Sequence, residues 1–96
     1  MAAYIVFTRE RMRDQAEFGV YSKMAAPTLG GHEAKPLVFY GKSETLEGAP
    51  VEGAVVIEFP TMAAAKAWYD SPAYAEARAH RFAAADYRCF ITEGLG

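Results

Sequence analysis

A single cysteine and two histidines leave this 96-residue chain short of the side chains from which metal and redox centres are built. Cys89 can form no disulfide within one chain, and no two-histidine spacing suits a metal, so no metal site is expected. Set in an apolar stretch, Cys89 reads as a buried, inert thiol in a reducing cytoplasm rather than a nucleophile. A large charge of one sign is missing too. The formal charge is −2 with scattered basic residues, so the electrostatic footprint of a nucleic-acid binder is absent. No run approaches the ~18 apolar residues of a membrane span, and the start lacks the basic-then-apolar pattern of a signal peptide. A cytoplasmic protein without membrane contact is expected. There is no Gly-rich phosphate loop, no Ser-His-Asp set and no aromatic RNA-binding signature. Any catalysis would be cofactor-free acid–base work or would use a borrowed ligand.

What the chain does have is apolar surface, 52% of its residues, enough for one compact domain over 1–96. Ala3 to Thr8 is short, β-branched and aromatic, and reads as a first strand. The alternating charges of Arg9, Glu10, Arg11, Arg13 and Asp14 then read as a solvated strand-to-helix turn. Asp14 and Glu17 form an Asp-x-x-Glu capping box that starts a helix. Phe18, Tyr21, Ala25 and Leu29 fall on one face of it, until Pro27 kinks or ends it and Gly30-Gly31 closes it. Leu37 to Tyr40 and Gly53 to Phe59 are the second and third strands, joined by a loop marked by Gly41, Gly48 and Pro50. Thr61 caps a helix through Trp68 and Tyr69, Ser71-Pro72 restarts it, and Tyr87 to Thr92 is the last strand.

The order β-α-β-β-α-β predicts an α+β, ferredoxin-like fold: a four-stranded antiparallel sheet with both helical segments on one face. The other face has no cover of its own. Yet Tyr4/Val6 and Ile5/Phe7, like Ala54/Val56 and Val55/Ile57/Phe59, are apolar in both alternating sets. Roughly six to eight such side chains left wet would forfeit about 10 kcal/mol, at ~1.5 kcal/mol each, which rivals the stability of a whole domain. A second copy, forming a homodimer, is the economical cover.

The segment Val56-Ile57-Glu58-Phe59-Pro60, followed by Ala65 and Trp68-Tyr69-Asp70-Ser71-Pro72-Ala73-Tyr74, resembles the bacterial DUF1330 family of the dimeric α+β barrel superfamily. The resemblance runs nearly end to end through Tyr21, Pro27, Gly30-Gly31, Leu46-Glu47-Gly48 and Arg81, and departs at Gly41-Lys42, where the family pattern has paired glycines. It implies a dimer with face-to-face sheets and a small-molecule pocket in each subunit. It supplies no reaction, because related families include cofactor-free oxygenases, isomerases, cyclases, haem-degrading enzymes and ligand sensors.

Several side chains are candidates for such a pocket. Glu58, a carboxylate ending an apolar strand, would be a general base if dry; its alternatives are pairing with Arg9 or Arg81, or exposure at the strand end. His32, after the glycine pair, could act as an acid or base from a mobile loop, or simply favour the nearby helix C-terminus. Trp68, Tyr69 and Tyr74 offer flat walls for a planar ligand, or ordinary core packing. Tyr21 and Tyr40 could donate hydroxyl hydrogen bonds, Tyr21 being also on the core stripe. Arg78 and Arg81 can share a face with Tyr74 and clamp a carboxylate, or snorkel with their heads in water. Ser71 reads as a helix cap and His80 as solvent-exposed.

Three functions fit. The first is cofactor-independent isomerisation, cyclisation or oxygenation of a small organic acid or aromatic metabolite, with Glu58 and His32 as catalytic groups. The second is a non-catalytic metabolite-binding or sensing module using the same aromatics. The third is a purely structural dimer.

Overall fold

The computed structural model describes residues 1–95. Four strands, β1 (Ala3–Met12), β2 (Lys35–Phe39), β3 (Gly53–Phe59) and β4 (Ala85–Glu93), alternate with three helices, α1 (Gln15–Ala25), α2 (Met62–Tyr69) and α3 (Pro72–Ala84). The sheet order is β2-β3-β1-β4 with every neighbouring pair antiparallel, which is the ferredoxin-like α+β arrangement.

The helix starts are local chemistry. Asp14, Thr61 and Ser71 each accept a hydrogen bond from the backbone N–H three residues on, satisfying donors that the first turn leaves free. The capping box at Asp14 is only half made. Glu17 does not reach back to the Asp14 N–H, which donates instead to the Ala84 carbonyl at 2.9 Å; the Glu17 carboxylate meets His80 Nδ1 at 2.7 Å. His80 is therefore a tie between α1 and α3 rather than a free surface histidine. Helix α1 ends at Ala25 and tightens into a 3-10 turn over Ala26–Leu29, where Pro27 has no N–H for the α-helical ladder.

The strands run further than the sequence suggests. β1 continues through the charged run to Met12, because β4 supplies partners as far as Ala85 and a bulge between Arg9 and Arg11 absorbs the irregularity. The run is thus a twisted strand end, with Arg11 and Arg13 paired to Asp86 across it. β2 starts at Lys35 and stops at Phe39; Tyr40 leaves the strand in the left-handed region, at φ 53°.

Period-two alternation sorts the sheet cleanly. Ala3, Ile5 and Phe7 of β1 and Val55, Ile57 and Phe59 of β3 are buried on the helical side, where they pack with Ala65, Trp68, Tyr74 and Ala77. On the opposite side the register lines up Val38, Val56, Val6 and Phe90 in one apolar stripe across all four strands. A row containing Lys35, Glu58, Tyr4 and Thr92 borders that stripe.

Phe59 is fully buried, with its ring stacked on Trp68 at 5.7 Å between centroids. Phe59→Ala should cost about 3–5 kcal/mol in urea unfolding, as expected for an aromatic removed from a packed core. A loss below about 1 kcal/mol would mean that this stack does not anchor α2 to the sheet.

Candidate functional site

Between the buried face of the sheet and α1 with its 3-10 turn lies a cavity of about 230 Å³. Phe7, Val55 and Ile57 form its floor, Ala25 and Leu29 its roof, Pro36 and Phe39 one side and Trp68 another. The hydroxyl-bearing residues of its lining are few: Tyr21, Ser22 and Tyr40.

Each of these walls is fixed for a local reason. Trp68 is 2% exposed and leans on Tyr74 with centroids 4.1 Å apart. Its indole N–H donates to Thr28 Oγ1 at 3.0 Å, and that hydroxyl donates in turn to the Ala25 carbonyl at 2.6 Å. Thr28, which sequence reasoning passed over, thereby ties the roof to the wall. Tyr40 keeps its N–H bonded to the Ala54 carbonyl while its ring crosses Gly53, where a Cβ would stand 2.8 Å from the ring. Glycine at 53 is what lets this ring lie flat over β3.

Behind the two lining tyrosines stands a second pair. Tyr21 Oη meets Tyr74 Oη at 2.9 Å, and Tyr40 Oη meets Tyr87 Oη at 2.5 Å. In each pair one O–H is spent on the other, so each retains one hydrogen free to donate onward.

Arg81 lies among these rings. It is 2% exposed, and its guanidinium carbon stands 5.2 Å from the Phe7 ring centroid and 5.0 Å from that of Tyr87. Its Nε has no hydrogen-bond partner, and none of the ion pairs among the described residues includes it. Burial without a counter-charge costs several kcal/mol, whereas each cation–π contact returns only about 0.5–2 kcal/mol. The guanidinium is thus an enclosed cation held among aromatic rings, with no carboxylate partner among the described residues, and not a head snorkelling into water. Arg78, three residues earlier, is differently placed: it stacks on Tyr69 at 4.3 Å and donates to the Tyr69 carbonyl at 3.0 Å. Arg9 covers the outer flank, 5.0 Å from the Tyr40 ring and paired with Glu52 at 3.3 Å.

The structure therefore gathers Tyr21, Tyr40, Trp68, Tyr74 and Arg81 into one place. It does not bring Glu58 or His32 there. Glu58 sits between Ile57 and Phe59 in β3, so alternation turns it to the opposite face of the sheet, where it accepts from Tyr4 Oη at 3.1 Å instead of pairing with Arg9 or Arg81. His32 lines a separate shallow hollow with Gly31, Glu33, Pro60, Ala64 and Ala67. Among the described residues no cluster of His, Cys, Asp or Glu is placed to hold a metal ion.

Burial raises the pKa of Tyr21, Tyr40 and Tyr74 above the usual tyrosine value, with hydroxyl neighbours adding to the shift at Tyr21 and Tyr40. Arg81 opposes the rise at all three. At neutral pH these groups are hydrogen-bond donors and not bases. Burial also pushes the Cys89 thiol up, so it stays protonated. Because the folded state favours neutral tyrosine, its contribution to stability is complete below pH 10 and is lost as the pH climbs from there towards the folded values. Absorbance at 295 nm should show Tyr21, Tyr40 and Tyr74 ionising together with alkaline unfolding. Smooth titration of all six tyrosines near pH 10 in the folded protein would contradict this burial.

Solved structures share this framework. One is a protein of unknown function from Rhodopseudomonas palustris, at 21% identity and a TM-score of 0.75, matching 99% of this chain and 83% of that one. Another is a dimeric ferredoxin-like protein of unknown function from Bacteroides fragilis, at 13% identity and a TM-score of 0.63, matching 97% and 96%. A third is the cofactor-independent oxygenase SnoaB from Streptomyces nogalater, at 9% identity and a TM-score of 0.67, matching 99% and 94%. At such identities the likeness is one of fold. No curated protein sequence matches the chain. The family model described as domain of unknown function DUF1330 matches residues 2–95, spanning every strand and helix described above, and this chain belongs to that family.

Proposed function

We propose that this chain binds a small, planar, largely apolar metabolite in the cavity between its sheet and α1, and does so as a homodimer. The cavity itself carries the reading: an apolar slot of about 230 Å³ with hydroxyl groups in its wall is the composition of a ligand pocket. An apolar cavity of about 150 Å³ accommodates benzene, so this one suits a bicyclic ring system.

The chain's single tryptophan is a wall of that cavity, and its indole N–H gives one resolvable NMR signal. Naphthalene-2-carboxamide should shift that signal with a Kd of about 1 mM or tighter. Ala25→Phe, which fills the cavity from its roof, should abolish the shift without unfolding the protein. Failure of the wild type to bind this or any comparable bicyclic probe would remove the pocket reading.

The dimer reading rests on the stripe Val38–Val56–Val6–Phe90, which lies on the face without helices; Val38 and Phe90 are 41% and 53% exposed. An exposed apolar band across a whole sheet is what a self-complementary partner covers. The description of the Bacteroides fragilis neighbour as dimeric supports it. Val56→Asp should yield a folded monomer with unchanged far-ultraviolet circular dichroism, whereas the wild type sediments as a dimer at micromolar concentration. A monomeric wild type would overturn the claim.

A catalytic reading, cofactor-independent oxygenation, isomerisation or cyclisation, is supported by the fold shared with SnoaB and by the paired tyrosines, whose free O–H groups could stabilise a developing oxyanion. It predicts product formation that Tyr21→Phe or Tyr40→Phe diminishes while ligand binding persists. Binding without product would assign the pocket to sensing or carriage instead.

A further inference from the structure

Three sets of donors lie in and behind the wall of the cavity with no carboxylate hydrogen-bonded to them. The Tyr21–Tyr74 pair has one unspent hydroxyl hydrogen and the Tyr40–Tyr87 pair another. Arg81 adds an Nε–H with no partner, on a side chain that is 2% exposed. These groups form one cluster: the Arg81 charge acts on Tyr21, Tyr40, Tyr74 and Cys89, and its guanidinium lies against the rings of Phe7 and Tyr87. Phe7, Tyr21 and Tyr40 are at the same time walls of the cavity.

A buried cation ordinarily has a carboxylate beside it. Among the described residues no carboxylate pairs with Arg81: Glu58 faces the other side of the sheet with Tyr4, Glu17 is held by His80, Glu52 by Arg9 and Asp86 by Arg11 and Arg13. The Arg81 charge, and the donors around it on the lining residues Tyr21 and Tyr40, thus have no carboxylate partner among the described residues.

We propose that the ligand of this pocket is a planar aromatic or unsaturated monocarboxylate, whose carboxylate lies at the inner end of the cavity, accepts hydrogen bonds from Tyr21 and Tyr40, and has Arg81 as its counter-charge. This rests on the pocket reading and adds the charge of the ligand to it. The apolar body of the acid fills the space between Ile57, Leu29 and Trp68. Arg81 acts from behind the tyrosine rings and so is a positioning residue. Its signature is discrimination between charged and neutral ligands of the same shape.

The test compares naphthalene-2-carboxylate with naphthalene-2-carboxamide by calorimetry at neutral pH. Wild type should prefer the carboxylate by at least about tenfold, the scale of one charge-assisted hydrogen bond. Arg81→Met should bring the ratio to about one while keeping carboxamide affinity, and Arg81→Lys should restore part of the preference. Should Arg81→Met fail to fold, Tyr40→Phe serves in its place, lowering the ratio by about threefold or more through loss of one donor. Equal affinities in wild type, or a preference that survives Arg81→Met, would overturn the carboxylate proposal and leave the pocket standing. Absence of binding by both probes would overturn the two together.

Discussion

Everything in this molecule depends on the two-residue period of β1 and β3. Because successive side chains leave a strand on opposite faces, Ile5, Phe7, Val55, Ile57 and Phe59 are committed to the helices, and Tyr4, Val6, Val56 and Glu58 are committed away from them. That division creates two separate places of interest. One is a cavity beneath α1; the other is an apolar stripe with a polar border on the bare face. Glu58 cannot serve the first while it belongs to the second.

Much of this was legible in local sequence. The caps Asp14, Thr61 and Ser71 act on amides three residues away, so short-range pattern suffices to find them. Gly53 to Phe59 was recognisable as a strand to the residue, since Pro60 and a run of β-branched residues bound it. The ends of β1 and β4 were not. Their length is decided by hydrogen bonds between strands distant in the sequence, such as Met12 opposite Ala85, and the charged side chains of Arg9 to Arg13 disguise it. Pairing of Glu17 with His80 was hidden for the same reason: it depends on how α1 and α3 lie together, which neither helix encodes alone.

The candidate site was legible in its residue types but not in its grouping. Tyr21, Tyr40, Trp68, Tyr74 and Arg81 were all candidates in the sequence, and of these Tyr21, Tyr40 and Trp68 line the cavity. What sequence could not give was the order of the layers, with Tyr21 and Tyr40 at the cavity and Tyr74, Tyr87 and Arg81 behind them. For Arg81 in particular the sequence leaves open a carboxylate clamp and a head snorkelling into water. Only the packed rings of Phe7 and Tyr87 reveal that its charge is enclosed. Thr28 gave no signal at all, since a threonine after proline is common and its bond to Trp68 spans 40 residues.

Helix α1 contributes no fully buried side chain, although it roofs the cavity. Polar ties hold much of it in place: Glu17 to His80, Tyr21 to Tyr74, and through its 3-10 extension Thr28 to Trp68. An element attached in this way opens locally at a smaller free energy than the sheet, whose strands share an apolar core. The roof of the cavity is therefore the wall held least by fully buried side chains. Substitutions that weaken a single tie would loosen that roof while leaving the melting of the domain as a whole nearly where it was.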